Sequence, residues 1–429
     1  MSIEEAWLYV EQKSDAIRSA NDGQSIAKLK EESATSMYLP EISLSGSYTH
    51  LSKPIGTDTH SVAESISSAL PLTSALMSAL PNHQMDFSQQ DIFIANLHAL
   101  WPLYVGGKID AMQDIYSAKS DEAKALLEMK KDEEFLKLVK YYYGVVVAKS
   151  LYETRKESQK ALQLHYENAK KLKQQGQIAN IELLNSQVKF DSAKIETTKA
   201  KHKYETALSA LKSLVKVDIK PSSKLFIDEI KEDENYYKIK TQSNYKGLKI
   251  LDAKEKQSKA FIDIKQADYH PSVIGYANYN LYKDDSPIMK TLPQWFAGVM
   301  VKISLLQRTD RSQEIQVAKL LNSKVKHIKA QALEDLAILV EKTYRELSAY
   351  KEEYNALDSS VELAKENYKL RTIAFREGLS TSVEVIDAQM FLLGIKTKKL
   401  NVAYNYEKKL SQMYVLIGDR DMFFKDKIR

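Results

Sequence analysis

The sequence predicts a mostly α-helical protein with a minor β component, built by tandem duplication of a helix–strand–strand–helix–helix unit. Three observations support this fold class. Glycine and proline are scarce, with 13 and 9 in 429 residues, and 28% of the residues are charged, which suits long solvated helices better than a compact α/β enzyme. Long segments place apolar residues at alternating spacings of three and four. The two halves of the chain also repeat the same landmarks.

The repeat is visible when the sequence is compared with itself. A shift of 202 residues, the distance from Gly176 to Gly378, also places Glu182 on Glu384 and lays KYETALSALKSLV over NYEKKLSQMYVLI. A shift of 231 residues lays YLPEISLSGSY over YHPSVIGYANY. Because the two shifts differ, the first copy must contain a longer loop, and we interpret the chain as a tandem duplication.

The first repeat is predicted to span residues 1–218. Its opening helix, up to about Met37, begins at Ser2, which has capping-box spacing to Glu5, and ends before Pro40, because the residue before a proline avoids the α region. Apolar and polar residues then alternate, as they do in strands. The remaining predicted elements are strands at about 41–50 and 92–103, a long helix over 108–175, a tip at Gly176 and a return helix over 179–214.

The second repeat is predicted over 243–419, after an inter-repeat linker over 219–242 and before a C-terminal tail over 420–429. Each long helix would extend roughly 100 Å at about 1.5 Å per residue. Spacings such as Leu347, Tyr350 and Tyr354 indicate a coiled-coil seam. The predicted elements are strands at about 272–282 and 295–305, a long helix over 310–377, a tip at Gly378 and a return helix over 381–416.

A single glycine interrupts each long helical stretch, and we interpret it as the turn of a helical hairpin. A glycine just after a helix end, followed by a new helix start, is how such hairpins turn. The alternative is a glycine tolerated within one straight helix. The glycine recurs at the equivalent place in both repeats, as Gly176 and Gly378, and this favours the turn.

The four predicted strands require partners. Each has roughly ten residues, the length that crosses a bilayer in a tilted β-barrel. Four strands cannot close a barrel, and in a membrane every backbone group must be paired. Spanning strands would therefore require an oligomer that pools them: two copies give eight, three give twelve and four give sixteen. The alternative is a small soluble sheet that caps a coiled coil.

This order of elements, occurring twice, resembles the TolC-like outer-membrane efflux protein family over essentially the whole chain. The resemblance implies a homotrimer, with a twelve-stranded transmembrane β-barrel continuous with a long coiled-coil α-helical barrel. It further implies a passive exit duct in outer-membrane lipid, with a helical tunnel in the periplasm, that works with a periplasmic adaptor and an inner-membrane pump. The residues that carry it are Tyr38-Leu39-Pro40, Tyr269-His270-Pro271, Trp101-Pro102-Leu103-Tyr104, Gly106-Gly107 and the tip glycines.

Other features bear on this interpretation. The second copy has Arg308-Thr309 where the first has Gly106-Gly107, which predicts different strand-to-helix junctions. No signal sequence precedes Ser2, so the chain is either cytosolic or has lost its signal peptide. The absence of cysteine is compatible with an oxidising compartment such as the periplasm. A function of another class, a soluble coiled-coil scaffold or a periplasmic adaptor, stays open at this point.

The sequence contains no catalytic constellation, and we expect no enzyme activity, no cofactor and no metal site. Gly106-Gly107-Lys108 lacks the earlier glycine of a phosphate-binding loop. The eight histidines show no metal-ligand spacing. The net charge of +5 comes from 62 basic and 57 acidic residues that are finely interspersed, so no basic block predicts a nucleic-acid partner.

The tips are the best candidates for a functional site. Glu384 and Asp387 lie three residues apart at the start of a helix and therefore share a face. Three copies in a trimer would place six carboxylates around one opening, and such a ring attracts cations. The alternative is favourable charge at a helix N-terminus on a solvated face. The family resemblance implies that Glu384 and Asp387 constrict the periplasmic entrance and that Glu182 takes part in closing it.

The resemblance also implies a hydrogen-bonded lock made by a tyrosine and an arginine near the second glycine. This chain has Phe375 and Ser380 at those positions, which calls that lock into question, and Arg376 and Lys173 are nearby cations that could replace it. The sequence does not predict which substrate is exported. The turn residues expected to contact a helical-hairpin adaptor are Gly176, Gln177, Ile178, Gly378, Leu379 and Ser380.

Overall fold

A computed structural model describes residues 1–69, 81, 83–223, 225, 227, 232–305 and 310–425. The chain divides into two compact units. The helical unit comprises Met1–Lys28, Ala118–Glu255 and Ser323–Arg429, and the sheet unit comprises Leu29–Ser117 and Lys256–Asn322. The predicted fold class, mostly helical with four main strands and a tandem repeat, is confirmed.

Helices account for most of the chain. The two longest, α4 and α9 below, have 67 and 66 residues without a break. We call α4 with α5 the first hairpin, and α9 with α10 the second hairpin. None of the described helices is long and apolar enough to cross a membrane. The bounds are α1 (Ile3–Lys13), α2 (Asp15–Ala34), α3 (Thr59–Ala69), α4 (Lys108–Gln174), α5 (Asn180–Val215), α6 (Glu234–Asn244), α7 (Lys246–Ala267), α8 (Pro287–Thr291), α9 (Arg311–Arg376), α10 (Ser382–Leu416) and α11 (Met422–Lys425).

The strands of both repeats join in one antiparallel sheet. Its order is β1-β4-β5-β6, so the two repeats meet where β4 pairs with β5. Two short strands, β2 and β3, pair separately. Within the described residues, β1 and β6 each have a partner on one side only. The bounds are β1 (Glu41–His50), β2 (Gly56–Asp58), β3 (Gln84–Asp86), β4 (Asp91–Tyr104), β5 (Ser272–Lys283) and β6 (Trp295–Lys302).

One face of the four-stranded sheet is apolar from edge to edge. Leu44 lies opposite Leu97, Leu97 opposite Tyr279, and Tyr279 opposite Trp295, and these side chains are between 40% and 69% exposed. The alternate residues on the other face are polar along β1 but mixed on the other three strands, where Ile94, Leu100 and Phe296 belong to that face. An alternating sheet with an exposed apolar face is suited to contact with lipid. The corresponding polar row on β1, β4 and β5 is Ser43, His98 and Asn278.

The core of the helical unit surrounds the middle of α4. Phe135 is fully buried and packs edge-on against Trp7 of α1 and against Phe423 and Phe424 of α11, with ring centroids 5.4–5.6 Å apart. Tyr142, two turns further along α4, is also fully buried. Both ends of the chain therefore pack onto this helix.

Two predicted bounds differ from the structure for local reasons. The opening helix, predicted as one segment up to Met37, is broken at Ser14, which has extended backbone and accepts the N–H of Ile17 to start α2. The strand predicted over 295–305 ends at Lys302. Lys302 pairs with Ser272, which is the first residue of β5, so the neighbouring strand offers no partner beyond this point. The structure places the other main strands at Glu41–His50, Asp91–Tyr104 and Ser272–Lys283.

Several segments predicted as linker, loop or tail contain further elements. The 219–242 linker includes most of α6, and the 420–429 tail includes α11, whose Phe423 is fully buried. The long loop over 52–90 contains β2, β3 and α3. The predicted difference at Arg308-Thr309 lies outside the described residues, as does most of the apolar stretch of that loop, over 70–80.

Candidate functional site

The first tip (residues 172–182) and the second tip (residues 374–384) turn in the same way. The N–H of Gly176 donates to the carbonyl of Lys173 at 3.0 Å, and the N–H of Gln177 donates to that of Leu172 at 2.9 Å. These two bonds form the Schellman motif, which needs a residue of left-handed conformation. Gly176 and Gly378 have φ values of 75° and 72°. The equivalent bonds at the second tip run from Gly378 to Phe375 and from Leu379 to Ala374.

The Gly378→Ala variant is expected to lower the free energy of unfolding by about 1–2 kcal/mol. The reason is backbone strain alone, because nothing lies within 4 Å of the added Cβ while φ is +72°. Gly394→Ala is the matched control, since this glycine lies inside α10 with equally open space. There alanine should raise the free energy by about 0.5–1 kcal/mol. Denaturant unfolding in detergent, followed by circular dichroism, measures both, and an effect of the same sign would contradict the turn assignment.

A capping box closes the second tip. The hydroxyl of Thr381 accepts the N–H of Glu384 at 3.3 Å, and the Glu384 carboxylate accepts the N–H of Thr381 at 3.0 Å. The same carboxylate accepts the hydroxyl of Ser380 and pairs with the guanidinium of Arg371 at 3.3 Å. The bond from Ser380, followed by the bond from the Thr381 backbone, lowers the pKa of Glu384. Glu384 is therefore an ionised carboxylate with a fixed position.

The first tip has no such box. The residue before α5 is Ala179, whose methyl side chain cannot cap the helix. Glu182, the repeat equivalent of Glu384, instead accepts the backbone N–H of Ser382 at 3.0 Å. Ser382 is the first residue of α10, and negative charge is favourable at a helix N-terminus. Glu182 therefore connects the first tip to the second tip within one chain.

A buried pair lies beside this connection, and our sequence analysis did not identify it. The imidazole Nε2 of His165 lies 2.6 Å from the hydroxyl of Ser382, and both side chains are buried. The His165 ring also packs on Phe375, with ring centroids 4.5 Å apart. Phe375 belongs to a small apolar cluster with Ala169 and Val385. The sequence carries no signal for this pair, because the two residues are 217 positions apart and their contact exists only after both hairpins pack.

The His165–Ser382 distance is that of a base and a nucleophile, but the surroundings do not suit catalysis. Ser382 is fully buried within the tip, so a substrate has no access to its hydroxyl. In the described part of the chain, no group of three or more His, Asp or Glu side chains is placed to hold a metal ion. The pair therefore acts as a packing and hydrogen-bonding contact.

The cation that pairs with Glu384 is not one that the sequence suggested. Arg371 makes this ion pair, whereas Arg376 is exposed and Lys173 is half-buried. Among the described residues, neither of these two cations pairs with Glu182, Glu384 or Asp387. Arg371 lies four residues before Phe375 and so shares its helix face. The four-residue spacing from Phe375 could have identified Arg371 from the sequence as a cation near the second tip.

The predicted adaptor-contacting residues are only partly exposed. Ile178 is half-buried and packs against the apolar cluster of Phe375, and Ser380 is half-buried with its hydroxyl bonded to Glu384. Leu379 is 81% exposed at the end of the second turn. The exposed residues among the predicted adaptor contacts are Gly176, Gln177, Gly378 and Leu379. Among the predicted gate residues and their neighbours, Asp387, about one turn into α10, and Arg376 are exposed.

Comparison with known proteins places these features in context. No curated protein matches the chain by sequence. Three solved structures have the same fold at low sequence identity. The outer membrane protein VceC from Vibrio cholerae has a TM-score of 0.78 at 13% identity, over 97% of this chain and 96% of that chain. The Campylobacter jejuni CmeC outer membrane channel has 0.76 at 14%, over 99% and 89%. The Neisseria gonorrhoeae MtrE outer membrane channel, solved in an open state, has 0.76 at 13%, over 97% and 89%.

The chain therefore shares its fold, over nearly its whole length, with these three outer-membrane proteins. The sequence profile of the outer membrane efflux proteins matches residues 10–215 and 240–419, which covers both repeats. The chain belongs to the outer membrane efflux protein family. It is an efflux channel of the outer membrane with its helical tunnel in the periplasm, and a soluble scaffold or adaptor is not favoured. The family is one of channels rather than of enzymes.

Proposed function

We propose that three copies of this chain form a passive exit duct, which closes at its tips and is opened by a periplasmic adaptor and an inner-membrane pump. The observation that carries the proposal is the four-stranded sheet, with one apolar face and an open edge on β1 and on β6. In lipid every strand edge must be paired. Pairing β6 of one copy with β1 of the next satisfies both edges, and three copies give a closed barrel of twelve strands.

The gate belongs at the second tip in this proposal. Glu384 is ionised and fixed by its cap, and Asp387 is exposed one turn further along α10. In a trimer these two residues would contribute six carboxylates at the periplasmic entrance. Rings of carboxylates favour cations over anions in a narrow pore. The two tips would then move apart to open the duct, which requires breaking the Glu182–Ser382 bond.

The adaptor would bind at the ends of the turns. Leu379 is a large apolar side chain with 81% of its surface exposed, and it follows Gly378 at the end of the second hairpin. A single exposed leucine is common on protein surfaces, so its place at the end of the hairpin, rather than its exposure, supports this assignment. Gln177 occupies the equivalent position of the first tip and offers an amide in place of the leucine. The two turns of a subunit therefore present different chemistry to a partner.

The test is ion selectivity in planar lipid bilayers. The Glu384→Gln, Asp387→Asn double variant is expected to lose most of the cation preference, several-fold in permeability ratio, because six carboxylates become neutral amides. Asp387→Asn should have the larger single effect, since Arg371 already compensates the charge of Glu384. Glutamine at position 384 retains the capping box, so the turn should stay folded. Reversal potentials across a salt gradient give the ratio.

Asp191→Asn is the matched control, because Asp191 is an exposed acid on α5 outside both tips. It should leave the reversal potential unchanged. A double variant with the selectivity of the unmodified protein would return Glu384 and Asp387 to the role of solvated charges at a helix N-terminus. A protein that inserts no conducting pore at all would contradict the duct itself.

A further inference from the structure

His165 is a buried histidine at the contact between the two tips. It belongs to α4 of the first hairpin, and only 6% of its surface is exposed. Its imidazole makes the 2.6 Å contact with the hydroxyl of Ser382 and packs on Phe375, so it touches both helices of the second hairpin.

Ser382 is bonded from two directions by the first hairpin. Its backbone N–H donates to Glu182 of α5, and its side chain pairs with His165 of α4. The Ser382 side chain is fully buried, and its neighbour Val385 belongs to the same apolar cluster as Phe375. The first turn of α10 is therefore fixed to the first hairpin by one glutamate side chain and one imidazole.

Among the residues that the structure describes, the imidazole of His165 has no charged partner. Burial lowers the pKa of His165 to about 4, and no neighbouring charge among the described residues contributes to this shift. The carboxylate of Glu384 is occupied elsewhere, since it pairs with Arg371 and caps its own helix. The titratable groups near the tips on the surrounding elements include Tyr166, Glu167, Lys170, Lys171 and Lys173 on α4, Glu182 on α5, Tyr368, Lys369, Arg371 and Arg376 on α9, and Glu384 and Asp387 on α10.

We propose that His165 and Ser382 form a proton-sensitive latch, in which neutral His165 positions the start of α10 against the first hairpin and protonated His165 releases it. This rests on the proposed function, in which separation of the tips opens the duct. His165 acts as a positioning residue, since it works through Ser382 and does not line the carboxylate ring. Protonation turns the His165 side chain into an imidazolium cation, and this cation becomes hydrated when the tip loosens.

The sign of the pH dependence follows from the depressed pKa. A histidine in water has a pKa of about 6.5, and in the packed tip it has a pKa of about 4. Packing is therefore fully favourable above pH 6.5 and is progressively lost as the pH falls toward 4. Each pH unit in this window should change the closed-to-open ratio by up to about tenfold per subunit.

The experiment compares the unmodified channel with His165→Gln and with the control His202→Gln. Glutamine at position 165 can keep a hydrogen bond to Ser382 but cannot take up a proton. His202 lies on α5 with 71% of its side chain exposed. Two quantities are measured: the open fraction in planar bilayers between pH 6.5 and pH 4, and the pKa of His165 from deuterium exchange at the imidazole carbon read by mass spectrometry.

The latch predicts that the open fraction of the unmodified channel rises several-fold as the pH falls through this window. His202→Gln should follow the same curve, and His165→Gln should be flat. A His165→Gln channel with the unmodified pH profile would overturn the latch, as would an unmodified channel whose open fraction ignores pH or a His165 that titrates near 6.5 in the intact channel. The deuterium-exchange measurement uses the unmodified protein, so it tests the latch even if the His165→Gln variant fails to fold. The proposed carboxylate gate is tested by a separate experiment: unchanged ion selectivity in the Glu384 and Asp387 variants would contradict the gate and would leave the latch result unaffected.

Discussion

The Phe135→Ala variant is expected to unfold with a free energy about 3–5 kcal/mol lower than the unmodified protein. Phe135 is fully buried, and its ring makes edge-on contacts with Trp7, Phe423 and Phe424. Alanine would remove the common partner of all three rings and leave a cavity that α4 cannot close by itself. Because these partners come from both ends of the chain, the loss should loosen α1 and α11 together.

Denaturant unfolding of the detergent-solubilised protein, followed by tryptophan fluorescence and circular dichroism, measures this effect. Phe135→Leu is the matched control, since a volume-conserving apolar exchange usually costs less than about 1.5 kcal/mol. If alanine and leucine at position 135 had the same small effect, the site would be able to collapse, and the contacts of Phe135 would not organise this core.

The elements that the sequence predicted well are those with a local signal. Strand alternation around Leu44 and Tyr279 reports directly which side chains face the same way, because successive residues of a strand point to opposite faces. The tip glycines carry a similar signal, because the left-handed conformation at Gly176 and Gly378 is rare for other residues. Both inferences depend on neighbouring residues in the sequence alone and require no information about contacts with distant segments.

The elements that sequence reasoning missed depend on contacts between distant segments. The tail residue Phe423 packs on Phe135, which lies far along the chain, as well as on its sequence neighbours Tyr414 and Phe424. His165 has no metal-ligand spacing to another histidine, and nothing in its neighbourhood along α4 indicates Ser382. The break at Ser14 had a visible serine, but helix formers on both sides masked it.

The predicted equivalence of Glu182 and Glu384 does not extend to their hydrogen bonds. Position 381 is threonine, which completes a capping box with Glu384, whereas the equivalent position 179 is alanine. Glu182 therefore has no reciprocal partner in its own helix and its carboxylate reaches Ser382 of the other tip. One substitution between the repeats thus converts a local cap into a contact between hairpins. This asymmetry explains why two tips of similar backbone would have different parts in a gate.

The Arg420→Met variant is expected to lose about 3–5 kcal/mol of stability, because breaking a buried ion pair leaves its partner charge uncompensated. Arg420 donates to Asp132 at 2.7 Å and to Glu128 at 3.0 Å, and its guanidinium lies 5.6 Å from the ring centre of Trp7. The Asp132 side chain is only 6% exposed. The methionine stem can preserve the packing on Trp7 but cannot neutralise the carboxylate.

The pH dependence of this loss identifies its cause. Burial raises the pKa of Asp132 even with Arg420 bonded to it, and removing the guanidinium should raise that pKa further. A carboxyl group with a raised pKa stabilises the fold at low pH and loses that contribution as the pH rises through its folded value. The deficit of Arg420→Met relative to the unmodified protein should therefore be largest near neutral pH and shrink in acid.

Denaturant unfolding at neutral and acidic pH measures this difference, and two further variants complete the test. Adding Asp132→Asn to Arg420→Met should recover part of the stability and reduce its pH dependence, since the more deeply buried of the two stranded carboxylates is gone and only Glu128 remains. Arg345→Met is the matched control, because Arg345 pairs with Glu341 at 2.6 Å but is 73% exposed. Removing such a surface pair should change stability by no more than about 1 kcal/mol. Equal losses at positions 345 and 420 would mean that burial of Asp132 does not decide the stability of this junction, and that α11 is attached through its aromatic residues alone.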